Sequence, residues 1–182
     1  GEQGGTAVAE VLFGDYNPAG KLPVTFYRNV SQLPDFEDYN MTGRTYRYMQ
    51  DVPLFPFGYG LSYTTFGYGK TVLDKNELTA GQSLKLTVPV TNTGKCNGEE
   101  VVQVYLRKQG DAEGPIKTLR AFKRVSIPAG KTVNVEFDLK DKELEWWDDQ
   151  SNTVRVCPGN YDIMVGGSSK EEDLQRTTIA IK

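Results

Sequence analysis

The sequence predicts a mainly β fold, in which residues 64–182 form a β-sandwich of the immunoglobulin or fibronectin type III kind. Apolar and polar side chains alternate over strand-length segments such as 84–90 and 133–139. Turn sequences, for example 92–94 and 158–160, separate these segments. About seven short strands, each with one apolar face, are typical of two antiparallel sheets packed face to face.

Residues 1–27 follow a different pattern. Val8 and Leu12 lie at helical spacing, and Gly14 suits the C-terminal cap of a helix, while residues 22–26 read as a short strand. One helix and one strand cannot enclose a core. We therefore expect the remnant of an α/β-sandwich domain that lies upstream, and without that domain we expect exposed apolar surface, disorder or dimerisation.

We predict that residues 28–63 form an ordered strap between residues 1–27 and the sandwich. They keep no period of 2 or 3.6, and irregular segments of this length are usually functional or linkers. Their aromatic residues indicate packing on a surface; these are Phe36, Tyr39, Tyr46, Tyr48, Phe55, Phe57 and Tyr59. We expect this strap to dock on the upstream domains.

Within the sandwich, two segments carry specific predictions. The apolar run at 101–106 is typical of a central strand. Trp146 and Trp147 follow a predicted turn at 140–142, and adjacent residues of a strand point to opposite faces, so at most one indole lies in the core.

Composition excludes several classes of function. The 182-residue chain has a net charge of -3, which disfavours nucleic-acid binding, and no apolar run is long enough to cross a bilayer. It has no histidine, so Ser-His-Asp and Cys-His catalysis and His-containing metal sites are excluded. Cys96 and Cys157 are expected to be free thiols, with one bridge as the alternative. We predict no cofactor and no metal.

An ordered set of sequence words resembles glycoside hydrolase family 3. Residues 1–26 include GEQGG, AEVLFGD and NPAGKLPVTF, which resemble the end of the second, α/β-sandwich domain of that family. Residues 44–48 (RTYRY) and 53–66 (PLFPFGYGLSYTTF) resemble its inter-domain strap. NTG, GEEVVQVY, FKRV and PGNY resemble its C-terminal fibronectin type III-like domain.

This resemblance implies a parent enzyme, a β-glucosidase or β-xylosidase, that removes β-linked sugars from non-reducing ends with retention. Such chemistry needs two carboxylates about 5–5.5 Å apart, and the resemblance places both upstream, so no catalytic residue is assigned here. The implied partners are the upstream catalytic domains and an oligo- or polysaccharide substrate, and the implied location is secreted or periplasmic. A carbohydrate-binding module and an immunoglobulin-like interaction module remain alternatives.

Three groups of residues are candidate sugar contacts, and the first two also have a purely structural interpretation. Glu2 and Gln3 are candidates to face a sugar cleft, and the alternative is that Glu2 or Thr6 caps a helix. Arg44, Tyr46, Arg47 and Tyr48 either form a cleft rim or dock the strap, and Trp146 and Trp147 are candidates for a sugar platform. The acidic clusters at 35–38, 99–100, 143–145, 148–149 and 171–173 are expected to be solvated.

Overall fold

The computed structural model describes all residues, Gly1–Lys182, and confirms the mainly β sandwich. The helices are α1 (Gly4–Phe13), α2 (Thr45–Tyr48) and α3 (Asp141–Leu144), with 3₁₀ turns at Val30–Gln32 and Glu171–Asp173. The strands are β1 (Phe66–Tyr68), β2 (Val72–Leu73), β3 (Glu77–Leu78), β4 (Leu84–Asn92), β5 (Gly98–Lys108), β6 (Thr118–Ile127), β7 (Thr132–Leu139), β8 (Trp146–Asp148), β9 (Thr153–Arg155), β10 (Gly159–Gly166) and β11 (Gln175–Ile181).

Two sheets build the sandwich. In the first, β4 pairs with β7 along one edge and with β1 and β2 along the other. The second has the order β3-β11-β10-β5-β6, so β5 is an interior strand, as its apolar run predicts. The short β8–β9 hairpin stands apart from both sheets.

The core lies between the inner faces of the two sheets. The alternating residues of β4 predicted to face inward are all buried, from Leu84 to Val90, and so are Val135 and Leu139 of β7. Burying a side chain of this size contributes about 1.5–3 kcal/mol. Twenty residues make up this cluster.

The second sheet is also buried on its outer face, which simple alternation does not predict. Asp162 and Met164 of β10 are 5% and 1% exposed, although they point away from the core. Gln103 and Tyr105 of neighbouring β5 are buried in the same way. The strap covers this face at Gln103 and Tyr105, whereas Asp162 contacts Gln109, Thr178 and Arg176.

Helix α1 begins and ends as predicted, but its surroundings do not bury it. Gly14 caps it in the left-handed conformation, with φ 84°. No residue of α1 is buried, and Leu12 and Phe13 are 72% and 84% exposed. Of the three expected outcomes for this segment, the structure shows exposed apolar surface.

The predicted capping of α1 is wrong. Gln3 occupies the N-cap position without any side-chain cap hydrogen bond, and neither Glu2 nor Thr6 caps the helix. Gly4 and Gly5, the first two residues of the helix, have no side chain that could bond to the free N–H groups.

The predicted strand at 22–26 is not a regular strand. Leu22 N donates to Tyr59 O (2.8 Å) and Phe26 N donates to Phe55 O (2.9 Å), in antiparallel register with the end of the strap. Pro23 and Pro56 lack a backbone N–H, so a continuous ladder cannot form. Within this chain the partner of the segment is the strap, and its place in an upstream α/β-sandwich domain stays a prediction.

The two cysteines and the two tryptophans each include one buried and one exposed residue. Cys96 is exposed and Cys157 buried, and both are free thiols. Trp146 is 3% exposed and Trp147 50%, which confirms that they face opposite ways. The segment before them is the short helix α3 rather than a turn, and the Lys140 backbone N–H donates to the Glu143 carboxylate at its start.

Candidate functional site

The strap docks on the sandwich through aromatic rings, and its expected docking on the upstream domains stays a prediction. Tyr46 stacks on Phe57 with ring centroids 4.2 Å apart, and it meets Tyr105 of β5 edge-on at 5.9 Å. Its hydroxyl accepts a hydrogen bond from Leu119 N at 3.0 Å. These contacts bury the outer face of the second sheet and fix helix α2 against it.

A second contact holds the strap by its backbone. Gln103 Nε2 donates to Gly58 O at 3.2 Å and to Gly167 O at 2.6 Å. Gly58 has φ 78°, and a Cβ there would lie 2.0 Å from Gln103 Oε1. Only glycine permits this approach, because the position needs both the left-handed backbone and the missing side chain.

A buried ion pair joins the N-terminal segment to the sandwich. Lys21 Nζ lies 3.1 Å from Glu100 Oε1, and the two side chains are only 17% and 7% exposed. Tyr68 donates its hydroxyl to the same carboxylate at 2.9 Å. Burial and the negative charge of Glu100 raise the pKa of Tyr68, so the phenol stays a donor.

The expectation that the 99–100 cluster is solvated is wrong for Glu100. Glu99 is half-buried and pairs with Arg124 near the surface, but Glu100 is one position further and lies on the opposite face of β5, where Lys21 and Tyr68 contact it. Sequence reasoning also missed Lys21. A signal was present for both: Lys21 and Glu100 each directly precede an apolar extended segment, where a charge needs a partner.

Asn17 provides a further link between the same three parts of the chain. Its Oδ1 accepts from Ser62 Oγ (2.9 Å) and Tyr63 N (2.8 Å), and its Nδ2 donates to Asn97 O (2.9 Å). The N-terminal segment, the end of the strap and the β4–β5 turn therefore meet at one amide.

Two clefts border these contacts. The first, of about 530 Å³, lies beside the ion pair and is lined by Lys21, Glu100 and Tyr68 among others. The second, of about 600 Å³, lies between the strap and the loop before β11, with Tyr46 and Lys117 in its wall. No cluster of three or more metal-ligating side chains occurs in the chain.

The candidate cleft-rim residues do not converge. Glu2 and Gln3 are exposed, and Arg44 bonds to the carbonyls of Asp38 and Asn40 within the strap. Tyr46 lines the second cleft, but neither cleft includes the other candidates Glu2, Gln3, Arg44 and Tyr48.

The candidate sugar platform reduces to one residue. Trp146 packs edge-on against Tyr161 in the core and donates its Nε1 to Asp111, so it cannot offer a ring face to a sugar. Trp147 stays exposed on the β8–β9 hairpin opposite Val154, with its Nε1 bonded to Asp149 at 2.8 Å.

Comparisons with known proteins match the two parts of this architecture. Residues 1–63 match the glycosyl hydrolase family 3 C-terminal domain, and residues 100–169 match the fibronectin type III-like domain. The first match covers α1 and the strap, and the second covers most of the second sheet.

Whole-chain relatives carry glycosidase names. The chain is 54% identical over 181 residues to a xylan 1,4-β-xylosidase of Xylanibacter ruminicola, covering 100% of this chain and 21% of that protein. It is 37% identical to a periplasmic β-glucosidase of Salmonella typhimurium, over 93% of this chain and 24% of that protein. The chain thus spans about a quarter or less of the length of these relatives.

A solved structure agrees with the fold over the whole chain. A β-glucosidase from Erythrobacter marinus superposes with a TM-score of 0.84 at 42% identity, covering 100% of this chain and 24% of that one. The helices of the present structure include none that combines the length and apolar character of a bilayer span.

Proposed function

Since this chain corresponds to the C-terminal part of glycoside hydrolase family 3 proteins, with the fibronectin type III-like domain included, we propose that it serves a retaining β-glycosidase as a structural domain. The parent enzyme would act on non-reducing-end β-linked sugars, as a β-glucosidase or β-xylosidase. Its two catalytic carboxylates would lie elsewhere in the parent polypeptide, and residues 1–27 would complete its α/β-sandwich domain.

The observation that carries this proposal is the covered outer face of the second sheet. The carboxylates that line the first cleft are held in ion pairs, with Lys21, Arg124 or Lys170. The sandwich fixes the strap through Tyr46 and Gln103 and the N-terminal segment through Glu100. The docked segments leave Leu12 and Phe13 exposed, which supports a contact between α1 and the rest of the parent protein. A domain with these contacts orders its neighbours instead of reacting with substrate.

Activity assays test whether glycoside hydrolysis requires the rest of the parent enzyme. The 182-residue chain, incubated with nitrophenyl β-glucoside and β-xyloside, is expected to release no nitrophenol, while the parent enzyme hydrolyses one or both. Turnover that follows the chain through every purification step would refute the structural role. A parent without glycosidase activity would refute the enzyme class.

The parent is proposed to work outside the cytoplasm. The support is the relative from Salmonella typhimurium, whose name describes it as periplasmic. Fractionation of cells that express the parent protein, with detection of residues 64–182 by antibody, tests this location. Retention of the parent in the cytoplasmic fraction would contradict it.

Trp147 favours a second candidate function, a carbohydrate-binding module. Half of this side chain is exposed, and its only polar group is already bonded to Asp149, so the ring is held ready for stacking on a pyranose. Calorimetry against xylan and soluble β-glucans tests it. The candidate requires saturable heat that Trp147→Ala abolishes and that Phe122→Ala, an exposed aromatic on β6, leaves unchanged.

A further inference from the structure

Two arginines lie at the junction of the strap and the sandwich. Arg47 belongs to α2 and Arg120 to β6, and neither takes part in an ion pair. The Nε atom of each is buried without a hydrogen-bond partner. An unpaired buried donor on a charged group is costly, so both positions call for an explanation.

A β-bulge aims Arg120 at this junction. Along the β5–β6 ladder, Val104 lies opposite Ala121 and Tyr105 opposite Leu119, which leaves Arg120 as the extra residue. Bulges of this kind redirect a side chain and interrupt pairing, often beside functional sites. The Arg120 guanidinium lies over the Trp146 ring, 5.5 Å from its centroid, and Nη2 donates to the Glu145 carbonyl.

The strap brings Arg47 to the same place. Ile116 N donates to Arg47 O at 2.6 Å, beside the Tyr46 hydroxyl contact, so the backbone of α2 is held where β6 begins. The Arg47 guanidinium lies over the Tyr48 ring, 5.6 Å from its centroid. Each cation therefore rests against an aromatic ring rather than a carboxylate.

The two charges affect each other. Burial and then the positive charge of Arg47 lower the pKa of Arg120, although the Glu145 carboxylate and the Tyr46 and Tyr161 phenols act in the opposite direction. Two like charges placed together and partly desolvated are stabilised by an anion between them.

We propose that Arg47 and Arg120 form a binding site for a carboxylate. The planar guanidinium fork matches a carboxylate in two parallel hydrogen bonds, and the flanking rings hold both forks in orientation. The carboxylate belongs either to an acidic sugar or to an aspartate or glutamate of another polypeptide segment. The site is independent of the proposed glycosidase role, because it rests only on side chains described here.

NMR titration of the full 182-residue chain tests the site. The arginine Nε–Hε resonances are followed while sodium acetate, sodium glucuronate or neutral glucose is added, with sodium chloride at the same ionic strength as the reference. We expect saturable shifts with both carboxylates and none with glucose. Arg47→Met and Arg120→Met are each expected to weaken binding about tenfold or more, since each removes a charge-assisted contact.

Controls and outcomes separate the two sources. Arg124→Met, which removes an exposed arginine paired with Glu99, is expected to bind like the unchanged chain. Glucuronate binding at least about tenfold tighter than acetate assigns the site to an acidic sugar, and equal affinity assigns it to a protein carboxylate. Arg47→Met leaves the Arg120–Trp146 contact in place, so it tests the site even if Arg120→Met unfolds. The absence of saturable shifts, or an equal loss in Arg124→Met, overturns the proposal.

Discussion

Lys21 and Glu100 are 79 positions apart in the chain and form an ion pair that is almost closed to solvent. A buried pair of this kind adds little net stability over an apolar pair of the same size, because both charges lose their hydration. Its effect is on specificity, since any arrangement that separates the two segments leaves a buried charge alone. The pair therefore favours one position of the N-terminal segment on the sandwich.

Glu100→Gln is expected to lower the free energy of unfolding by about 3 kcal/mol, because Lys21 then keeps a buried charge without a counterion. Chemical denaturation measures this loss. The adjacent change Glu99→Gln removes a surface pair with Arg124 and is expected to cost under about 1 kcal/mol. Equal losses from both variants would show that the Lys21 pair carries no special cost.

Tyr46→Ala is expected to detach the strap and to lower the free energy of unfolding by about 2 kcal/mol. It removes the stack on Phe57, the contact with Tyr105 and the bond from Leu119 N. Hydrogen exchange should accelerate in residues 45–58 while β4 and β7 stay protected. Tyr39→Ala removes a ring that is 90% exposed and should change neither quantity. An unchanged exchange pattern in Tyr46→Ala would argue against docking by this ring.

Leu12→Lys is expected to change the stability of the isolated chain by no more than about 0.5 kcal/mol, since the side chain is 72% exposed. In the parent protein, the same change is expected to lower stability or activity, because α1 would meet its neighbour there. Leu84→Ala, at a fully buried position of β4, should cost about 2–5 kcal/mol in either setting. A parent protein that tolerates Leu12→Lys would remove the proposed contact of α1.

Asp148→Asn is expected to change the acid stability of the β8–β9 hairpin. Hydrogen bonds from the Ser151 hydroxyl and from Arg155 lower the pKa of Asp148 to about 2, against a usual value of 3.8. The ionised form is therefore favoured in the folded state, and its stabilisation is present above pH 3.8 and lost as pH falls toward 2. Stability measured between pH 4.5 and 2 should lose this part of its slope in Asp148→Asn. Asp138→Asn, on the exposed face of β7, is the matched control and should keep the slope of the unchanged chain.

Some of the predicted functional residues are buried in the structure and others are exposed. Strand geometry predicts that Trp146 and Trp147 face opposite ways, but it does not predict which indole turns inward. The structure shows Trp146 in the core and Trp147 at the surface. Arg47 and Arg120 are 73 positions apart, and nothing in local spacing connects them. A bulge in the β5–β6 ladder and the docking of α2 bring them together, and both arise from pairing across the sheet.

The sequence by itself determined the sandwich, the extent of α1 and the interior position of β5, because apolar periodicity and turn chemistry act over a few residues. Only the tertiary structure decided that the strap covers the outer face of β5, that Glu100 is buried with Lys21, and that residues 22–26 pair with the strap. Those outcomes depend on contacts between distant segments, where the cost of an unpaired charge or backbone group is decided by what packs against it.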